Sequence, residues 1–273
     1  MATTRIGLDQ LPPAARAAVE KYTGPLLTIE ETTEGFNSEI AARVTSATGT
    51  WHIKGLRTDH PRAWTQHREA TVAPFLTGLA PTLDWHVETE GWNLLGFEAL
   101  NGHHADYTPN SPDLPEVAAL LRRLGKAPCP DIELRNAEQR LERYAARPDD
   151  LHHFAGTHLL HTDLNNTNVL VDDHAPQGNR ARLVDWAWAT RGAAWLDAGY
   201  WIIWLIAAGH TPASAEHWAT EIPSWHAAPT EGITAFATAK ANVWSEISAT
   251  DPGPWTSHPA AASEAWRRHR MSS

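Results

Sequence analysis

The chain changes its hydrophobic period partway along. Over Leu26 to Thr33, Ser38 to Thr45 and Thr50 to Leu56, β-branched residues partly alternate with polar ones between turn signals, the period-2 pattern of half-buried strands. Three consecutive antiparallel strands are predicted there, preceded by a short Ala-rich amphipathic segment from Pro12 to Lys21. Asp59, His60 and Pro61 then start a helix, with proline tolerated in the first turn, that should stop near Pro74. Two more strands flank a turn at Glu90 and Gly91, the second beginning at Trp92 and running to Leu100.

From Ser111 the period becomes helical. Leu114, Val117, Leu120, Leu121 and Leu124 share one face, as do Leu134, Ala137, Leu141 and Tyr144. The stretch Asn101 to Asp113, rich in Gly, His, Asn and Pro, separates the two regimes, which predicts lobes at residues 1–101 and 102–273. The expected fold class is therefore α+β: a five-stranded antiparallel sheet with one helix, then a mainly helical lobe. This order is unusual for a doubly wound sheet and matches a bilobal kinase architecture.

Composition narrows the setting. The 273 residues include 14 Trp and are 42% apolar, enough for a sizeable core. The single cysteine, Cys129, excludes an internal disulfide and a cysteine-rich zinc site, so a reducing, cytoplasmic compartment is expected. The most apolar stretch, Trp195 to Ala208, carries Asp197 and is too short to span a bilayer, and the opening segment has no continuous apolar core, so neither membrane insertion nor secretion is expected. A net charge of -10 disfavours binding to a nucleic-acid backbone and weakly favours cationic partners at long range. The 16 histidines, among them the pairs His103/His104 and His152/His153, show no metal-ligand spacing such as HExxH and read as scattered loop and surface residues.

Chemistry concentrates in His161-Thr162-Asp163-Leu164-Asn165-Asn166-Thr167-Asn168, followed by the apolar Val169-Leu170-Val171. A histidine two residues before an aspartate, and an asparagine five after it, is the spacing of a kinase catalytic loop. Seventeen residues beyond Asn168, Leu183-Val184-Asp185-Trp186 ends a β-branched run on an aspartate, where kinases carry a metal ligand. Phosphoryl transfer needs cations to bridge phosphate oxygens and a carboxylate to orient and deprotonate the incoming hydroxyl. Asp163 is the candidate base. Asn168, a neutral oxygen donor, and Asp185, an anionic one, are the candidate Mg²⁺ ligands.

Lys54, one of four lysines in a chain that mostly uses arginine, lies in the third predicted strand, on the face opposite Trp51 and Ile53. A kinase lysine contacts the α- and β-phosphates from that strand, and a snorkelling strand lysine is the alternative. Glu69 is the acidic residue of the predicted Pro61 to Val72 helix and the candidate partner of Lys54. Gly35 and Ser38 sit in the turn between the first two strands, where backbone amides could meet phosphate; an ordinary hairpin turn reads the same way. Glu98 and Leu100, at the lobe boundary, could present backbone groups to adenine.

With these motifs and this lobe order, the chain resembles the aminoglycoside phosphotransferase and choline kinase-like family over nearly its whole length. The resemblance implies a bilobal protein kinase-like fold, ATP or GTP as co-substrate with Mg²⁺, and a small-molecule acceptor. It also implies supporting roles for His161, as a brace of the catalytic loop, and for Asp197, as a helix-start aspartate hydrogen-bonded to that loop. The chain departs from the family pattern at Thr162, where glycine is usual, and at Ala187, where glutamate is frequent. Only twelve residues separate Asp185 from Asp197, too few for the long activation segment of a protein kinase. The expected reaction is phosphorylation of a hydroxyl on a small, polar, cationic molecule such as an aminoglycoside or peptide antibiotic. A metabolite kinase for choline, homoserine, a sugar or a glycated amine is the alternative, and a nucleotide-binding pseudokinase a third reading. Glu216, Glu221, Glu231 and Glu246 are candidate contacts to substrate amines, and Trp201, Trp204, Trp218 and Trp225 are either pocket walls or core.

Overall fold

Alternation along the first hundred residues is sufficient to build a sheet. In the computed structural model, which describes residues 4–32 and 38–272, helix α1 (Pro13–Thr23) starts with proline at its first position and ends at Gly24, whose φ of 73° suits glycine. It is followed by β1 (Leu26–Glu31), β2 (Ile40–Ser46), β3 (Thr50–Arg57), α2 (Ala63–Val72), β4 (Leu83–Thr89) and β5 (Trp92–Glu98). The five strands form one antiparallel sheet in the order β1-β2-β3-β5-β4. One face buries Ile40, Ala42, Val44, Ile53 and Leu94 against Leu8, Leu11, Ala15 and Val19 from the N-terminal segment. Close packing on that face requires Gly96, because a Cβ there would lie 2.0 Å from the Trp85 ring.

Local signals set the remaining boundaries. Glu90 and Gly91 have φ of 51° and 76°, the left-handed pair of a tight hairpin turn. Helix α2 begins two residues after Pro61 and passes into a 3-10 turn at Ala73–Phe75, so Pro74 tightens the helix end rather than stopping it abruptly.

The described residues divide into two compact units. The first comprises residues 1–101 together with 183–187, the second 102–182 and 188–273. Leu183 is tied into the first by its amide, which donates to the Leu79 carbonyl at 2.8 Å.

The second unit is mainly helical. Between β6 (His103–His104) and β7 (Arg135–Asn136) lies α3 (Leu114–Leu124), with the predicted face of Leu114, Val117, Leu120, Leu121 and Leu124 buried. After α4 (Ala137–Leu141) come the short strands β8 (His158–Leu160), β9 (Val169–Val171), β10 (Ala181–Leu183) and β11 (Thr190–Gly192). Five helices finish the chain: α5 (Leu196–Ala207), α6 (Pro212–Ala219), α7 (Pro223–His226), α8 (Thr230–Thr250) and α9 (Pro254–Ser272). Helix α5 is apolar nearly all round and forms the core, as a helix covered on every face must. Phe236 of α8 meets Phe154, Trp195, Tyr200 and Trp266 edge-on, with ring centroids 5.1 to 6.1 Å apart. Among the described residues no helix is long and apolar enough to cross a membrane.

Candidate active site

In the first unit, strand register places Lys54 between Ala41 and Leu95, and its ammonium donates to both carboxylate oxygens of Glu69, at 2.9 and 3.0 Å. The lysine side chain is 15% exposed and the glutamate 7%. Burial pulls the Lys54 pKa down, but Glu69 and Asp185 more than offset it, so the ammonium is held above its ordinary value. Asp185 therefore lies close enough to act on this pair, and the next amide, that of Trp186, donates to Glu69 at 3.4 Å. Asp185 has a φ of 61°, a left-handed backbone uncommon in non-glycine residues.

Other residues proposed from sequence fall around this pair in different ways. Ser38 is buried, and Gly35 lies outside the described residues. The Glu98 amide donates to the Thr82 carbonyl at 2.8 Å and the Leu100 carbonyl accepts from Arg43 at 2.9 Å, so these two backbone groups are already engaged within the unit. His52 shares the Lys54 face of β3 and was given no role from the sequence. Burial and the charges of Lys54, Arg5 and Arg43 push its pKa down to about 4, leaving a neutral ring beside three cations.

In the second unit, Asp197 at the start of α5 holds the loop that begins at His161, the candidate catalytic loop. Its two carboxylate oxygens accept the amides of His161 at 2.8 Å and Thr162 at 2.9 Å. Burial raises the Asp197 pKa, and those two N–H groups, His161 and Arg140 oppose the rise. Thr162 has a φ of 67°, where glycine would sit without strain, which explains why glycine is the usual residue there. Here the strained threonine is secured through its hydroxyl, which donates to the Trp188 carbonyl at 3.0 Å and accepts from Arg140 at 2.6 Å.

The next residue is Asp163. Asn165 donates to one of its carboxylate oxygens at 2.9 Å and Asn168 to the other at 3.0 Å. Each oxygen keeps a further lone pair, so the carboxylate is oriented and can still accept another hydrogen bond. Asn165, missed in the sequence reading, also caps the 3-10 turn Asn166–Asn168 through its side-chain oxygen. The signal was present: an asparagine directly before a short turn is an N-cap residue. The Asn168 side-chain oxygen takes no hydrogen bond among the described residues and is a hard donor, as is the Asp185 carboxylate. Both suit Mg²⁺ in kind.

Beside the loop the second unit contains a cavity of about 390 Å³ whose lining includes Asn166, Asp106, Tyr107, Trp204, Trp255 and His258. The Tyr107 hydroxyl is buried with no hydrogen-bond partner among the described residues. Trp204 and Trp255 present tilted rings 5.4 Å apart, and Trp204 is the one tryptophan of the four named from sequence that lines this space. Trp201 is fully buried, Trp225 packs on Trp195, and Trp218 meets Trp201 edge-on. The acidic residues named with them do not line the cavity. Glu216 holds Trp266 and Arg270, Glu221 holds Arg122, and Glu246 pairs with Arg143.

No family model matches the chain, and no curated protein matches it in sequence. Solved structures do match in three dimensions. Choline kinase LicA from Streptococcus pneumoniae aligns over 95% of this chain and 100% of its own at a TM-score of 0.61 and 13% identity. A thermostable mutant of aminoglycoside phosphotransferase APH(4)-Ia, in a ternary complex with AMP-PNP and hygromycin B, aligns over 96% and 99% at a TM-score of 0.65 and 14% identity. A putative aminoglycoside phosphotransferase from Ralstonia eutropha aligns over 94% and 95% at a TM-score of 0.60 and 15% identity. The chain has the bilobal, protein kinase-like α+β fold that these phosphotransferase structures share.

Proposed function

We propose that this chain is a small-molecule kinase that moves the γ-phosphoryl of Mg-ATP or Mg-GTP to a hydroxyl of a small polar acceptor. The observation that carries the reading is the left-handed backbone at both Thr162 and Asp185, two of the four non-glycine residues with positive φ among the described residues. Strain of this kind persists where the surrounding structure over-determines the backbone and clusters at functional sites, and here it adjoins the candidate base and falls on the candidate metal ligand. The neighbours' complexes with AMP-PNP, hygromycin B and AMP support a nucleotide donor and a small acceptor.

In this reading residues 1–101 bind nucleotide, with Lys54 on the α- and β-phosphates, Glu69 holding Lys54, Gly35 and Ser38 meeting phosphate, and Glu98 and Leu100 near the base. Residues 102–273 supply the catalytic loop and the acceptor cavity. Asp163 takes the proton of the acceptor hydroxyl as its oxygen bonds to the γ-phosphorus, and the bond from that phosphorus to the β–γ bridging oxygen breaks, releasing the nucleoside diphosphate. His161 and Asp197 keep the loop in place. Asn168 and Asp185 would hold Mg²⁺, which supplies neutralisation of phosphate charge.

At long range the net charge of -10 favours a cationic acceptor, an aminoglycoside or peptide antibiotic in a cytoplasmic resistance role. The alternative is a metabolite kinase for choline, homoserine, a sugar or a glycated amine. Incubating the chain with Mg-ATP or Mg-GTP and a panel of these compounds should yield one product heavier by a single phosphoryl group. Transfer only to a generic protein substrate would refute the reading. Asp163→Asn should keep nucleotide affinity while lowering kcat by about 10²- to 10⁴-fold.

A further inference from the structure

Helix α8 carries a buried lysine with no ion pair among the described residues. Lys240 on α8 is 7% exposed, and its ammonium makes no ion pair or hydrogen bond among the described residues. Its neighbours are aromatic faces: the Tyr200 ring centroid at 4.5 Å and that of Trp244 at 5.8 Å. Trp244 meets Trp204 edge-on at 5.7 Å, and Trp204 lines the cavity beside the catalytic loop. Lys240 thus adjoins, through Trp244, the tryptophan that lines the cavity, and it lies near enough to Asp163 to feel its charge.

Nearby carboxylates are committed elsewhere. Asp197 is taken up by two backbone amides, and Asp163 by the amides of Asn165 and Asn168. Arg140 donates to neutral oxygens, the Thr162 and Thr190 hydroxyls and the Trp188 carbonyl. Burial, and then the charge of Arg140, drive the Lys240 pKa down to about 7, with Asp163 opposing. An ammonium desolvated without an acceptor for its three N–H groups is costly, and two ring faces supply none of those hydrogen bonds.

We infer that Lys240 is a specificity-determining residue that takes an anionic group, a carboxylate, of the acceptor molecule. The inference rests on the kinase reading for its assignment of Asp163 and narrows the acceptor class beyond it: the molecule presents a hydroxyl to Asp163 and a carboxylate to Lys240, with its body against Trp204 and Trp255. Long-range attraction for cations and a short-range demand for an anion together suit an acceptor that carries both charges, an amino acid-like or zwitterionic polyol.

The test keeps the molecular body constant and changes only its charge. Calorimetric titration of the full chain at pH 7 with D-glucuronate, D-glucose and D-glucosamine should rank glucuronate first by about 10- to 100-fold, the range that charge-assisted hydrogen bonding supplies. Lys240→Met should erase that preference. Because the substitution removes a buried unpaired charge, the variant should fold at least as stably as the parent, which a thermal melt checks. Equal affinity for the three sugars, no binding by any of them, or a glucuronate preference that survives in Lys240→Met overturns the inference. Mg-ATP binding is measured in the same samples. A chain that prefers glucuronate through Lys240 but binds no nucleotide sinks the kinase reading and keeps the anion site, whereas nucleotide binding without the preference does the reverse.

Discussion

Two buried lysines are treated in opposite ways. Lys54 in the first unit has a bidentate carboxylate partner and a pKa held above its ordinary value, while Lys240 in the second has two aromatic faces and a pKa pushed from 10.5 to about 7. The difference is whether the counter-charge is built in. In the proposed function Lys54 meets a nucleotide phosphate, whose charge is the same in every turnover, and a lysine in that role gains from being permanently ionised and aimed. Lys240 is left to be completed by whatever ligand arrives, and so it can discriminate among ligands by charge.

The largest expected effect breaks the built-in pair. Lys54→Met leaves Glu69 buried and uncompensated and should destabilise the chain by about 3–5 kcal/mol in denaturant unfolding, whereas Lys240→Met should not destabilise it at all. If the two variants lost similar stability, the contrast between paired and unpaired lysine would collapse.

Next in size is the pH dependence of the Lys240→Met effect. A lysine with a lowered folded-state pKa binds fewer protons when folded than when unfolded between the two pKa values, so parent stability rises with pH across that window. The penalty is complete below about pH 7 and fades toward 10.5. Lys240→Met should therefore be more stable than the parent by about 1–3 kcal/mol at pH 6, with the gap closing as pH rises toward 10. Paired urea titrations at several pH values measure it, and a pH-independent gap would show that Lys240 does not titrate in this window. The groups acting on its charge are Arg140, which lowers its pKa, and Asp163, which raises it.

The smallest effect tests that second influence. Asp163→Asn removes the one charge that raises the Lys240 pKa, so the lower edge of the same stability window should move to lower pH. An upward move would mean that Asp163 does not act on Lys240.

Those lysines also show what the sequence could reveal. Lys54 was legible because its place in a third alternating strand and a single acid in the following helix gave it both a neighbourhood and a partner. The scarcity of lysine that drew attention to it applies equally to Lys240, in Thr238-Ala239-Lys240-Ala241, but no motif surrounds that residue and its ring partners Tyr200 and Trp244 are partly remote in sequence. Motif spacing proposed Asp163, Asn168 and Asp185 as a set, and the structure brings Asn168 onto the Asp163 carboxylate at 3.0 Å, because that part of the pattern is local chain geometry. It could not reveal Arg140, which reaches Thr162 and Thr190 across the fold. Nor could composition show that Glu216, Glu221 and Glu246 serve the protein's own arginines, since an acid's partner is decided only by packing.

The five residues 183–187 that return to the first unit set an order on biosynthesis. A ribosome finishes residues 1–101 long before it makes Asp185 or the Trp186 amide that donates to Glu69, so the nascent sheet must wait, with its buried lysine–glutamate pair incompletely enclosed, while residues 102–182 are added. Closing so long an excursion costs only slightly more entropy than closing a short one, since that cost grows with the logarithm of length. For the same reason a gene fragment cut at residue 101 encodes an incomplete first unit, and one cut after residue 187 is the shortest N-terminal piece that carries all of its chain.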